Sequence, residues 1–179
     1  IMSLESAARA YWTESNRENY LELQREIQRT ANYSPYSTAM GDISRALAAK
    51  DYPAVIGQLR PLLPGAFMSP SFHDTLAVAH MELGDEVRAL REARYAQLAL
   101  RGIALTGDGS KEKPYIVLRV QDEYDMLNQL EKVSVRQQLV QADGKMMDQH
   151  ICDDGSSIWF DISAFALTSE LAREIGGEV

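Results

Sequence analysis

Thr106-Gly-Asp-Gly-Ser-Lys-Glu-Lys-Pro-Tyr-Ile-Val-Leu-Arg-Val120 is the stretch on which the chain changes period. Before it, to about residue 103, apolar residues recur at helical spacing. After it, from 114 to 163, they recur at strand spacing. Helices followed by strands predict an α+β fold, with N-terminal helical hairpins packed on a small, mostly antiparallel β-sheet. The Gly-Asp-Gly turn separates a helical part, 1–105, from a small α+β part, 106–179. The two are expected to fold as one cooperative unit, because neither closes its own apolar face.

Downstream, Tyr115–Val120 reads as a strand and Gln121–Leu130 as a short helix with Tyr124 and Leu127 inward. Three strands follow at about 132–141, 146–152 and 157–162. Asp143-Gly144 and Asp154-Gly155 supply the turns, since glycine tolerates positive φ. A last helix is expected over Leu167–Ile175, with a frayed end after it.

Upstream, Leu4, Ala8, Tyr11 and Trp12 share one helical face. Ser15 and Glu18 have capping-box spacing, so a second helix starts near Asn16 and turns Tyr20, Leu23 and Ile27 inward. Pro35 disfavours the α region at Ser34 and breaks the pattern. Residues 36–69 and 70–103 then align as two copies of equal length, with the period of a tetratricopeptide helix-turn-helix. The second copy is the better one. Leu76–Asp85 supplies its first helix and turn, Ala89 and Ala96 its small contact positions, and Val87, Leu90 and Leu98 its second helix. Two such units need a cover, which the N-terminal helices or the β part can supply.

The second half resembles a family of bacterial proteins, domain-of-unknown-function family 4919. The resemblance rests on Gly107-Asp-Gly109, the Tyr115–Val120 segment, Glu123-Tyr124, Leu139-Val140 and Phe160-Asp-Ile162. An aromatic-rich N-terminal pattern associated with the family is reduced here to Tyr33, Pro35 and Tyr36. The resemblance implies a fold and implies no activity, substrate or cofactor.

The 179 residues carry a formal charge of −8 and are 45% hydrophobic and 25% charged, which excludes a disordered chain or a fibre. A chain of this size buries about 70% of its surface, enough to fold without metal or disulfide. The acidic balance repels nucleic acid and anionic lipid and favours a basic protein partner. No apolar run is long enough to span a membrane, so no membrane insertion is expected. The expected location is the cytoplasm, or the periplasm if a leader has been removed. The single cysteine, Cys152, lies in a strand pattern with no adjacent basic residue, and reads as a buried, inert thiol.

Residue clusters with chemical potential are few. Gly107-Asp-Gly-Ser-Lys111 lacks phosphate-loop spacing and reads as a plain turn. Asp122, Glu123 and Asp125 read as the solvated face of a short helix. His73 and His80 lie seven apart on one helix, away from zinc spacing, and His150 with Cys152 makes only two ligands. We therefore expect no catalytic residues, no metal and no cofactor. The leading expectation is a non-catalytic interaction module, an immunity, inhibitor or chaperone-like protein with a groove for a basic segment. Asp74, Glu82, Met40, Ser44 and Val78 would form that surface, with Ser37, Leu47 and Ser71 beside them. The alternative is an enzyme with a carboxylate site at the helix–sheet junction, using Asp108 or the acidic helix.

Overall fold

The computed structural model describes residues 2–166, and the helix expected at Leu167–Ile175 lies outside them. The architecture is α+β, with helices first and a four-stranded sheet after. The chain forms two compact units, Ile1–Gly102 and Ile103–Val179.

In the first unit, Ser3 caps α1 (Leu4–Thr13) and Asn16 caps α2 (Arg17–Gln28). Each cap side chain takes a backbone N–H that the first turn leaves without a partner. Tyr20, Leu23 and Ile27 are fully buried, as their spacing predicts. The first repeat copy holds three short helices, α3 (Ala39–Asp42), α4 (Ser44–Ala48) and α5 (Tyr52–Leu59). Its first helix is interrupted at Ile43, just after Gly41, a residue of low helix preference. The second copy is a long hairpin, α6 (Pro70–Glu82) and α7 (Glu86–Thr106), turned at Gly84 with φ of 80°.

Two packed regions organise this unit. Ile43, Val55 and Leu59 pack with Phe72, Leu76 and Ala79 of α6. On α7, Leu98 O accepts a 2.7 Å bond from the Tyr11 hydroxyl. Gly102 lies so close to the Tyr20 ring that a Cβ would approach it to 2.2 Å. The N-terminal helices thus cover the second hairpin. On α7 the small contact positions Ala89 and Ala96 are buried, together with Glu92 and Ala99, while Val87 and Leu90 are 81% and 67% exposed. Small residues take the contact side because the helices approach closely there.

The second unit holds β1 (Tyr115–Ile116), α8 (Val120–Gln129), β2 (Ser134–Ala142), β3 (Lys145–Cys152) and β4 (Ser157–Asp161). The strand order is β1-β4-β3-β2, parallel only between β1 and β4. The strand expected at 115–120 is therefore cut to two residues. Asp122 accepts bonds from the N–H groups of Leu118 and Arg119 and draws the chain into α8 instead. The β2–β3 turn is Asp143-Gly144, both at positive φ, as the hairpin signal predicts.

The Gly-Asp-Gly turn is structural. Asp108 accepts from Ser110 N–H, and Gly109 O accepts from Trp159 N–H. A Cβ at Gly107 would lie 2.3 Å from Pro114 O, so the backbone closes without room for a side chain.

Candidate functional site

The five partner-binding residues expected from sequence do not form one floor. Asp74, Val78 and Glu82 recur at four-residue spacing and share the outer face of α6, all exposed. Met40 packs instead against the core that Phe72 and Leu76 fill from the opposite side of α6. Ser44 lines a separate polar groove of about 620 Å³ with Asp42, Arg45, Asp51 and Gln58. Towards the turn of the same hairpin stand further exposed apolar side chains. Met81, Leu83, Val87 and Leu90 are 50%, 49%, 81% and 67% exposed, and Val78 is 50% exposed.

A second surface feature of this unit was not read from sequence. Leu4, Ala8, Trp12, Leu63, Phe67 and Tyr95 line an open groove of about 510 Å³, together with Glu5 and Arg9. Trp12 stacks on Tyr95 at 5.6 Å, and Phe67 meets Tyr95 edge-on. Behind this wall lies buried His73. Its Nε2 accepts the Met68 N–H at 3.1 Å, so the ring proton sits on Nδ1 and is donated to Glu92 Oε2 at 2.7 Å. Burial works to raise the Glu92 pKa, but the bonds from His73 and Arg91 hold it below the usual carboxylate range. His73 thereby fixes Met68, which stands at φ of 64°. His80 is buried and its pKa is lowered by burial, in keeping with a packing role.

The acidic helix departs most from expectation. The sequence predicts a solvated face, yet Asp122 and Glu123 are wholly buried and Tyr124, expected inward, is 46% exposed. The reason lies on β3. Asp148, His150 and Cys152 alternate onto one sheet face, and all three are buried. His150 Nε2 lies 3.1 Å from Glu123 Oε1, and His150 Nδ1 lies 2.8 Å from Ser134 Oγ. The ring is held edge-on between Tyr124 and Phe160. α8 therefore turns Glu123 inward, to polar partners on the sheet, while buried Asp122 is held by Leu118 and Arg119 just before the helix.

Burial, then the adjacent Asp148 carboxyl, push the Glu123 pKa up to about 9. Glu123 Oε2 meets no protein donor. A proton on this carboxyl, with Asp148 as acceptor, turns an orphaned acceptor into a donor. Burial also raises Asp122 to about 6, against the opposing pull of Arg119 and its backbone donors. His150 is lowered by burial, with Asp148 opposing. This cluster can store a proton, but its members are sealed from solvent. Among the described residues no group of His, Cys, Asp and Glu is arranged to hold a metal ion. No described helix is long and apolar enough to cross a membrane.

Residues 70–170, more than half of the chain, match the family model described as Domain of unknown function (DUF4919), and the chain belongs to that family. No curated protein and no solved structure matches it.

Proposed function

We propose that this DUF4919 member is a non-catalytic interaction module that docks a basic, partly apolar segment of another protein on the outer face of the α6–α7 hairpin. The observation that carries the reading is the exposed apolar run Val78, Met81, Leu83, Val87 and Leu90. Apolar side chains gathered at one end of a hairpin mark an interaction surface more often than scattered ones do. Asp74, Glu82 and Glu86 stand exposed beside them, while Arg88 and Arg91 are paired with Asp85 and Glu92. The charge of −8 steers a basic segment toward this face, and the apolar run supplies burial.

The sealing of Glu123 and His150 weighs against acid–base chemistry, since no substrate reaches a fully buried carboxyl. The test is quantitative capture from the native host, comparing wild type with Asp74→Lys/Glu82→Lys and with Val87→Asp/Leu90→Asp. All are surface changes, so thermal melts should match wild type. Both variants should lose the main captured protein, and a photo-crosslinker at Val87 should label it. Capture at unchanged yield by both variants would remove this reading.

A further inference from the structure

Ser134 opens β2, and a bulge decides where it points. Ser134 pairs with Cys152 and Arg136 with Ile151, so Val135 is an extra residue on the β2 side. In a regular strand, residues 134 and 137 would fall on opposite faces. Here Ser134 and Gln137 lie opposite Cys152 and His150, which share one face of β3. The bulge thus brings both to the side of the His150 ring.

Three side chains then form a chain of contacts. Ser134 Oγ lies 2.8 Å from His150 Nδ1, and His150 Nε2 lies 3.1 Å from Glu123 Oε1. The ring between them is fixed: Tyr124 and Phe160 meet it edge-on, and the Tyr124 hydroxyl is itself tied to Gln137 Oε1. Glu123 and His150 are fully buried, whereas Ser134 is half-buried. A hydroxyl at the open end, a base behind it and a third group orienting the base are the parts of an activated nucleophile.

The protons fall in the required order. With Nε2–H donated to Glu123 Oε1, the lone pair of Nδ1 faces Ser134, whose hydroxyl donates to it. Glu123 and Asp148 share one proton, so the pair keeps one negative charge near the ring, and Asp148 favours the charged imidazole.

We propose that Ser134 is a covalent modification site, a nucleophilic serine that takes an acyl group from a small activated ester, with His150 as its base and Glu123 as the residue that positions the ring. The Ser134 Oγ–carbon bond forms as the ester carbon–oxygen bond breaks. The serine proton passes to His150 Nδ1 and from there to the departing alkoxide, which leaves as an alcohol. The donor has to reach Ser134 alone, so the sealing of Glu123 and His150 does not oppose the step. The reaction is one acylation per chain and leaves the α6–α7 interaction surface as it stands.

The experiment treats the full native chain with an alkyl fluorophosphonate, whose phosphorus stands in for the attacked carbon and loses fluoride to Oγ. Trypsin cutting after Lys132 and Arg136 frees Val133–Arg136, in which Ser134 carries the sole hydroxyl. That peptide should carry the label, formed roughly a hundredfold faster in the native chain than in the guanidinium-unfolded one, as a positioned base provides. Ser134→Ala should stay folded and lose the label. Glu123→Gln keeps an oxygen for the His150 Nε2–H and should label near the wild-type rate, while Glu123→Leu should label roughly tenfold slower or worse. Equal rates in the native and unfolded wild-type chains overturn the proposal, as does a native label that spares Ser134. A folded Glu123→Leu chain labelled as fast as wild type overturns the role given to Glu123.

Discussion

The molecule buries two histidine–glutamate pairs, one in each compact unit, and gives them opposite protonation. In the first unit Glu92 has His73 at 2.7 Å and Arg91 at 3.3 Å, and its pKa stays low despite burial. In the second, Glu123 has His150 at 3.1 Å but carboxyls for its other neighbours, and its pKa rises to about 9. Burial disfavours the charged form in both cases. The neighbours then decide the outcome, hydrogen bonds donated by His73 and Arg91 holding one carboxylate ionised and nearby carboxyls keeping the other protonated. A buried His–Glu contact by itself therefore identifies neither an ion pair nor a catalytic pair.

The largest effect should come from breaking the first pair. His73→Leu leaves Glu92 without its imidazole and the Met68 N–H without its acceptor. We expect a loss of about 3–5 kcal/mol in chemical denaturation. A loss under about 1 kcal/mol would mean that His73 does not hold Met68 in place.

The second pair should respond with the opposite sign. Glu123 keeps a proton in the fold that it releases on unfolding, so its contribution is full below the ordinary carboxyl range. It is lost as pH rises toward about 9. Asp122 adds the same trend up to about 6. Across pH 6–9, Glu123 should lower stability by about 1.4 kcal/mol per pH unit. Glu123→Gln, an uncharged isostere, should flatten that slope and stabilise the protein by about 2 kcal/mol at pH 8. A variant with the wild-type slope would show that Glu123 is ionised in the fold.

Glu92→Gln should destabilise, by about 1–2 kcal/mol at neutral pH, since it removes the charge that strengthens the His73 and Arg91 bonds. The wild-type Glu92 contribution runs the other way in pH, present above the carboxyl range and lost on acidification. If Glu92→Gln and Glu123→Gln moved stability in the same direction near pH 8, the contrast between the units would fail.

The smallest effect belongs to Cys152, beside the second pair. Its thiol is buried, with its nearest polar contact to His150 O. Cys152→Ala should cost about 1 kcal/mol, and a thiol reagent should react slowly with the native chain near neutral pH.

Much of this was legible one element at a time. Asn16, Asp143-Gly144 and Pro35 act locally, and each shapes its segment as its own chemistry dictates. The second hairpin was legible as helix-turn-helix, with Ala89 and Ala96 as its contact positions, but the exposure of Val87 and Leu90 was not. Close approach of α7 to its neighbours selects the alanine side and leaves these larger residues outside. Met40 and Val78 illustrate the same limit: both are apolar at helical spacing, but only one meets a packed partner.

By itself the sequence determined the order of helices and strands, the change of period at Gly107–Gly109 and the hairpin turns. These follow from backbone preferences and side-chain spacing acting over a few residues. Only the tertiary structure decided which face of α8 turned inward. Asp122, Glu123 and Asp125 present carboxyls on several sides of one short helix, so periodicity cannot rank the faces. The choice comes from His150 and Asp148, some 25 residues downstream, which β3 carries to the helix with their alternation in register. Desolvation and shared protons depend on that arrival, and no local pattern encodes it.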